Sequence, residues 1–148
     1  MEDNYHRTLT DADYQILADF RCALREFLAF SEEQARAAGI TPQQHMLLLI
    51  VRGHRAYPKV SIGDIAQALR ISHHGASLLV DRGVRRGLLT RREDPSDRRR
   101  ALISLSAAGQ NLLAEITLAN WRELHTLENE LFETPLHVVT AEREPAAE

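Results

Sequence analysis

Two short helical patterns lie so close together in this sequence that they limit the folds open to it. Residues 61–69 place apolar side chains at the i, i+3, i+4, i+7 spacing of one buried helix face, behind Ser61 as a candidate N-cap. Residues 72–85 repeat that spacing behind Ser72. Because so few residues join them, the two helices must cross at an angle and do not form one continuous helix. The pair therefore predicts a helix-turn-helix.

An arginine-rich hairpin pattern follows directly. Gly87 is expected to end the second helix, and residues 88–93 and 100–105 have the composition of two strands around a turn-rich tip at 94–99. The predicted fold class is therefore mainly α with a small β-hairpin wing, a winged helix-turn-helix plus a helical dimerisation domain.

Charge is segregated toward this hairpin. Residues 82–100 contain eight Arg and three acidic residues, although the whole chain has a net charge of −3. Clustered arginine supplies much of the nonspecific affinity for DNA through counterion release, so the pattern favours a surface that faces phosphates. Two alternatives remain open, a solvated basic face and a winged-helix module that binds protein through the same surface.

The outward face of the second helix carries the predicted base readers. In a helix-turn-helix the N-terminal part of this helix enters the major groove. His73, His74 and Ser77 are therefore expected to contact base edges, and Leu78 to contact a thymine methyl. The other DNA contacts predicted for the two helices are Ser61, Ser72 and Arg82.

Four segments resemble the signature region of the MarR family of transcriptional regulators. They are Leu79–Arg82, Arg86–Leu88, Asp94–Arg99 and Leu105–Gly109. The resemblance covers most of the chain and implies a ligand-responsive repressor that acts as a homodimer on a pseudo-palindromic site in double-stranded DNA.

The same resemblance implies roles for individual side chains. Arg99 is expected to reach into the minor groove with Asp97 as the residue that orients it, while Arg98 and Arg100 lie near phosphates. A small aromatic or phenolic effector is also implied, between the winged and dimerisation domains. The residues expected to line this effector site are Phe20, Phe27, Phe30 and Met46. The alternative for each of them is that it is an ordinary residue of the hydrophobic core.

Long helical patterns flank the winged region. The second one follows Ser106 and carries apolar residues at alternating spacings of three and four. One small winged domain cannot cover so long an apolar seam, so we expect this helix to pair with a second subunit. The alternative is that it is a core helix within one subunit. The predicted seam is Leu113, Ile116, Asn120, Leu124, Leu127 and Leu131.

These arguments divide the chain into four predicted regions. Residues 1–40 hold an N-terminal helix that contributes to dimerisation, and residues 41–105 form the winged helix-turn-helix. Residues 106–134 form the long dimerisation helix, and residues 135–148 a short or disordered tail. Within the winged region, a capping box at Thr41–Gln44 should start a helix that is apolar nearly all round and forms a buried floor.

Other functions find little support in the sequence. No apolar run approaches the length of a membrane span and the start lacks an apolar leader, so we expect a cytoplasmic protein without a membrane partner. His73 and His74 are adjacent on a helix and diverge by about 100°, which is poor geometry for one metal ion. No motif for an enzyme or a cofactor is present.

A single cysteine, Cys22, excludes an internal disulfide framework. Peroxide-sensing members of the MarR family resemble this chain in having a cysteine in the first helix. A redox-sensing regulator that acts through Cys22 is therefore an alternative to the effector-responsive one.

Overall fold

The computed structural model of the protein describes residues 8–132, with side chains up to residue 129. The predicted fold class is confirmed, and the predicted tail at 135–148 lies outside the described residues. In chain order the elements are α1 (Asp11–Ala37), α2 (Pro42–Gly53), β1 (Val60–Ser61), α3 (Ile62–Leu69), α4 (His73–Arg85), β2 (Leu89–Asp94), β3 (Asp97–Leu105) and α5 (Ala107–Phe132).

The chain divides into two compact units. Residues 31–119 form one of them, the winged unit. The described part of the other, the helical unit, comprises residues 8–30 and 120–132. The division falls inside α1 and α5, so each of these helices contributes to both units.

The winged unit contains an antiparallel sheet in the order β1-β3-β2. Val60 of β1 pairs with Ile103 of β3, and Leu89 of β2 pairs with Leu105. The short strand β1 has no counterpart among the sequence predictions. A strand of two residues is too short to show an alternating pattern, although Val60 is buried against the sheet.

The core of the winged unit is built from α2, α3, α4, the sheet and the first half of α5. On α2, Leu47, Leu48 and Val51 are buried, but Met46 and Leu49 are exposed, so this helix buries one face rather than its whole circumference. The largest fully buried side chains are Leu47, Leu48, Ile65, Ile103, Val51, Val60 and Val80.

Side-chain caps begin the helices at the predicted residues. Thr41 forms a capping box with Gln44 at the start of α2. The Ser61 hydroxyl accepts a hydrogen bond from the Asp64 N–H at 3.1 Å, and the Ser72 hydroxyl accepts one from the Gly75 N–H at 3.0 Å. Each cap satisfies a donor that the first helical turn leaves unpaired, and the crossing of α3 and α4 follows from these two starts.

Gly83 lies inside α4, where glycine costs about 1 kcal/mol relative to alanine. A Cβ on Gly83 would lie 2.7 Å from Cδ1 of Leu89 on β2. Close packing of the helix on the wing therefore explains a residue that the sequence alone did not explain.

The predicted seam of α5 is divided between two environments. Leu113 and Ile116 are buried in the core of the winged unit, so the prediction that they pair with a second subunit was wrong at these positions. Leu127 is buried in the helical unit, Asn120 is half-buried there, and Leu124 is 41% exposed. The Leu131 side chain lies outside the described part.

Apolar side chains of the helical unit remain open to solvent on both helices. Those of Phe20, Leu24, Trp121 and Leu124 border a groove of about 410 Å³ between α1 and the second half of α5. The exposed apolar residues are Tyr14, Leu17, Phe20, Leu24, Leu28, Trp121 and Leu124.

Candidate DNA-binding surface

The first turns of α4 present polar side chains to solvent. Ala76, Leu79 and Val80 are buried on the opposite face, so packing fixes which face of the helix points outward. The predicted contact residues on that outward face are Ser72, His73, His74, Leu78 and Arg82, all exposed, and Ser77, half-buried. The N-terminal end of a helix also carries unpaired N–H groups, which favour an anion nearby.

Ser61 occupies a different environment from these residues. It is 8% exposed, and its hydroxyl and backbone N–H are both engaged with Asp64. Burial alone would raise the pKa of the Asp64 carboxyl, but the hydrogen bonds from Ser61 bring it below its ordinary value. This position favours helix capping over the predicted DNA contact.

The wing is longer and its tip tighter than predicted. β2 and β3 extend to Asp94 and Asp97, so only Pro95 and Ser96 connect them. The reversal is held by Asp94, whose carboxylate accepts hydrogen bonds from the Ser96 hydroxyl at 2.7 Å and the Ser96 N–H at 2.9 Å. These bonds lower the pKa of the Asp94 carboxyl below its ordinary value.

Arg98 and Arg99 therefore lie on a strand, not in the predicted loop. The Arg99 Nε lies 3.3 Å from Oδ1 of Asp97, which also accepts the Arg99 N–H at 3.0 Å. The Arg99 side chain is 92% exposed, and an ion pair this exposed contributes little stability. Its effect is to limit the directions in which the guanidinium points.

Several arginines of the run at 82–100 are engaged within the protein. Arg91 Nη1 on β2 lies 2.7 Å from Oδ1 of Asp81 on α4, an ion pair that joins the helix to the wing. Arg86 donates to the Gly39 carbonyl at 2.6 Å and to Oε1 of Gln44 at 3.4 Å. Contacts between residues this far apart in sequence could not be found from the charge pattern.

The remaining arginines of the run differ in their freedom. Arg100 Nη1 lies 4.0 Å from Oδ2 of Asp94, and Arg85 Nε donates to the Asp81 carbonyl at 3.4 Å. The side chains of Arg82, Arg92 and Arg98 make no ion pair or hydrogen bond with any residue between 8 and 129. The predicted phosphate-facing cluster is therefore a smaller set of free cations than the count of eight suggested.

The predicted effector residues are divided between the two units. Phe20 and Phe27 line the groove of the helical unit, and Phe30 is half-buried in the same unit but does not line it. Met46 belongs to the winged unit and is exposed. Cys22 is exposed as a free thiol on α1.

Neither a metal-binding cluster nor a membrane-spanning helix occurs among the described residues. No group of three or more His, Cys, Asp or Glu side chains within residues 8–132 is placed to hold a metal ion. In the same range, no helix combines the length and apolarity needed to cross a membrane.

Comparison with known proteins identifies the winged unit. The MarR family model matches residues 38–100, which span α2 to the middle of the wing. This part of the chain is therefore similar to the winged domain of the MarR family. A search of curated protein sequences found no match.

Solved structures of MarR family proteins extend the similarity over the flanking helices. A Staphylococcus aureus MepR variant bound to an oligodeoxyribonucleotide is 26% identical, with 90% of this chain and 97% of that one covered and a TM-score of 0.68. The S. aureus MepR–DNA complex is 25% identical, with 90% and 93% covered and a TM-score of 0.67.

A more distant structure shows the same fold. AbsC, a MarR family transcriptional regulator from Streptomyces coelicolor, is 19% identical, with 90% and 89% covered and a TM-score of 0.67. The matches cover long helices outside the family model, so the similarity in fold extends beyond the matched winged region.

Proposed function

We propose that this protein is a transcriptional regulator that binds a specific site in double-stranded DNA. One observation carries the proposal: the exposed first turns of α4 lie in the same compact unit as a wing whose arginines include free cations. The DNA-bound structures of MepR, which share this fold at 25–26% identity, support it.

In this proposal α4 enters the major groove. His73, His74 and Ser77 contact base edges, because they occupy the outward face of the N-terminal half of the helix. Leu78 is 44% exposed beside them and supplies the apolar contact that a thymine methyl prefers.

The wing contacts the minor groove and the backbone. Arg99 enters the minor groove with its guanidinium directed by Asp97, and narrow minor grooves attract arginine through their negative potential. Arg82, Arg98 and Arg100 bind phosphates, which fixes the position of α4 without reading sequence.

We further propose that two copies act together on a pseudo-palindromic site. Exposed apolar residues on α1 and α5 form a surface of the kind that marks interaction sites on soluble proteins. In a twofold dimer the two α4 helices would contact half-sites roughly 34 Å apart, one turn of DNA.

The groove of the helical unit is the proposed effector site. Its walls are apolar and aromatic and include Phe20, Phe27 and Trp121, and its volume of about 410 Å³ suits a small aromatic or phenolic molecule. Such a ligand would relieve repression only if it binds one spacing of the two α4 helices more tightly than the other.

The proposal is tested with duplex fragments that the protein selects from genomic DNA. On such a fragment Arg99→Ala should weaken binding roughly ten- to hundredfold, the cost of losing one specific arginine contact, and leave dimerisation unchanged. Arg36→Ala is the matched control, because Arg36 is an exposed arginine in a comparable ion pair with Glu32 at 3.2 Å. We expect Arg36→Ala to keep wild-type affinity.

Three results would contradict parts of this account. Unchanged affinity of Arg99→Ala would remove the minor-groove role. A chain that retains no duplex even in dilute salt would refute DNA binding. Retention of a protein partner with a shallow dependence on salt would instead identify a protein-interaction module.

A further inference from the structure

Three helices of the winged unit end with the same hydrogen-bond motif. In this motif the residue after the helix adopts positive φ and donates to a carbonyl three residues back, and the next residue donates to a carbonyl five residues back. For α1 the donors are Gly39 at 3.0 Å and Ile40 at 3.0 Å, and for α4 they are Gly87 at 2.9 Å and Leu88 at 3.0 Å. The φ angles of the two glycines are +81° and +72°.

The third motif ends α3 and contains no glycine. Arg70 donates to the Gln67 carbonyl at 3.3 Å, and Ile71 donates to the Ala66 carbonyl at 3.1 Å. Arg70 has φ +53°, and it is the one non-glycine residue with positive φ in the part of the chain that the structure describes. A side chain with a Cβ is disfavoured in this conformation, whereas glycine adopts it freely.

Among the described residues, the Arg70 side chain makes no polar contact that compensates for that cost. The Arg70 side chain is exposed, and it forms no ion pair or hydrogen bond with any residue whose side chain is described. A backbone conformation that disfavours its own residue is a reason to look for a role of the side chain outside the fold.

The position of Arg70 indicates that role. It lies two residues before Ser72, the N-cap of α4, so the two Cα atoms are at most about 7.6 Å apart. His73 and His74 follow in the first turn. A free guanidinium here stands at the entrance of the helix proposed to enter the major groove, where the DNA backbone passes.

We propose that Arg70 is a phosphate-binding residue that the winged unit keeps at the expense of its own stability. The guanidinium cation pairs with a phosphate group and displaces a counterion. This role rests on the proposed function, because it requires a duplex on the α4 surface. The arginine pattern at 82–100 gave no sign of it, since Arg70 lies outside that run.

The test is a set of substitutions that separates the conformational cost of the Arg70 backbone from the contribution of the Arg70 charge to DNA binding. Arg70→Gly should raise Tm by about 2–4 °C and lower affinity for a selected duplex about threefold to tenfold. The slope of log K against log salt should become shallower by about one unit, as for the loss of one phosphate contact. Arg70→Lys retains the cation and should keep the wild-type slope and Tm.

Gly87→Arg provides the converse control for the backbone. A Cβ on Gly87 meets no atom within 4 Å, so arginine there introduces only the conformational cost and should lower Tm by a similar 2–4 °C. If Arg70→Gly and Gly87→Arg both have the same Tm as the wild-type protein, the argument from backbone strain is wrong.

The DNA measurements separate this inference from the proposed function. If the wild-type protein binds a duplex and Arg70→Gly binds it with the same affinity and slope, Arg70 has no phosphate role and DNA binding stands. If Arg70→Lys loses as much affinity as Arg70→Gly, the charge is not the cause and the inference is wrong. If the wild-type protein binds no duplex, both proposals are wrong.

Discussion

The winged unit and the helical unit differ in how completely each covers its own apolar residues. All but one of the buried apolar side chains described in the protein belong to residues 31–119, and Leu127 is the one from the helical unit. Charge differs as well, since residues 31–119 carry 13 basic and 8 acidic residues, whereas the rest of the sequence carries 5 and 13. One unit has a complete core and an excess of cations, and the other has open apolar helix faces and an excess of anions.

The largest expected effect comes from a charge placed on an open face of the helical unit. Leu28 is 49% exposed on α1 and does not line the groove. If a second copy covers this face, Leu28→Asp buries an unpaired carboxylate and should weaken dimerisation by about a thousandfold, roughly 4 kcal/mol. Analytical ultracentrifugation measures the change.

Ala29→Asp introduces the same charge at the neighbouring exposed position and should leave the dimer intact. Circular dichroism should show that both variants keep their helices. A Leu28→Asp protein that dimerises as tightly as the wild type would mean that this face is not the interface.

A methyl group added inside the winged unit should give the next largest effect. A Cβ on Gly109 would overlap the carbonyl of Leu88, which accepts the Ser106 N–H at 3.0 Å. The Leu88 atoms are backbone and the added Cβ has no rotational freedom, so Gly109→Ala should lower the free energy of unfolding by about 3 kcal/mol. Urea denaturation followed by fluorescence measures this value.

Gly63→Ala is the matched control for that prediction. A Cβ there lies at an ordinary 3.7 Å from Oγ of Ser61, and alanine suits a helix better than glycine. Gly63→Ala should therefore stabilise the protein by up to about 1 kcal/mol. If Gly109→Ala also raises the free energy of unfolding, the contact between Gly109 and Leu88 leaves room for a methyl group and the prediction is wrong.

The smallest effect concerns pH and the winged unit. His45 on α2 is 6% exposed, its Nε2 has no hydrogen-bond partner among the described residues, and burial lowers its pKa from the ordinary 6.5. As pH falls through 6.5, the unfolded chain binds a proton that the folded chain does not. Stability should therefore fall by at most about 1.4 kcal/mol per pH unit in this window.

Urea midpoints at pH 7.5 and 5.5 measure this dependence. His45→Gln should reduce the difference between the two midpoints, whereas His74→Gln, at an exposed histidine, should not. An unchanged difference in His45→Gln would assign the pH dependence to other groups.

The features that sequence predicted well are those determined within a few residues. The caps at Ser61 and Ser72 and the termination at Gly87 follow from local backbone requirements. The hairpin was placed correctly to within a few residues for the same reason. Its tip was misjudged because the side-chain bonds of Asp94 to Ser96 allow a shorter turn than composition suggested.

The features that depend on distant partners could not be predicted in this way. An apolar residue on α5 has the same periodicity whether the chain itself or a second copy covers it, which is why Leu113 and Ile116 were assigned to the dimer seam. Likewise, the charge count treated Arg86 and Arg91 as free, although Gly39 and Asp81 engage them. Sequence indicated the kind of surface but not which of its members are available.

The engagement of these arginines has a consequence for target search. A regulator must locate one site among millions of competing positions in a genome, and each additional free cation prolongs its stay on every wrong one. Because the Arg91–Asp81 pair and the Arg86 hydrogen bonds withhold two guanidinium groups, the protein should leave unrelated sequence sooner than its arginine content suggests. Intramolecular pairing of these arginines therefore lowers nonspecific affinity for DNA and speeds the search for the target site.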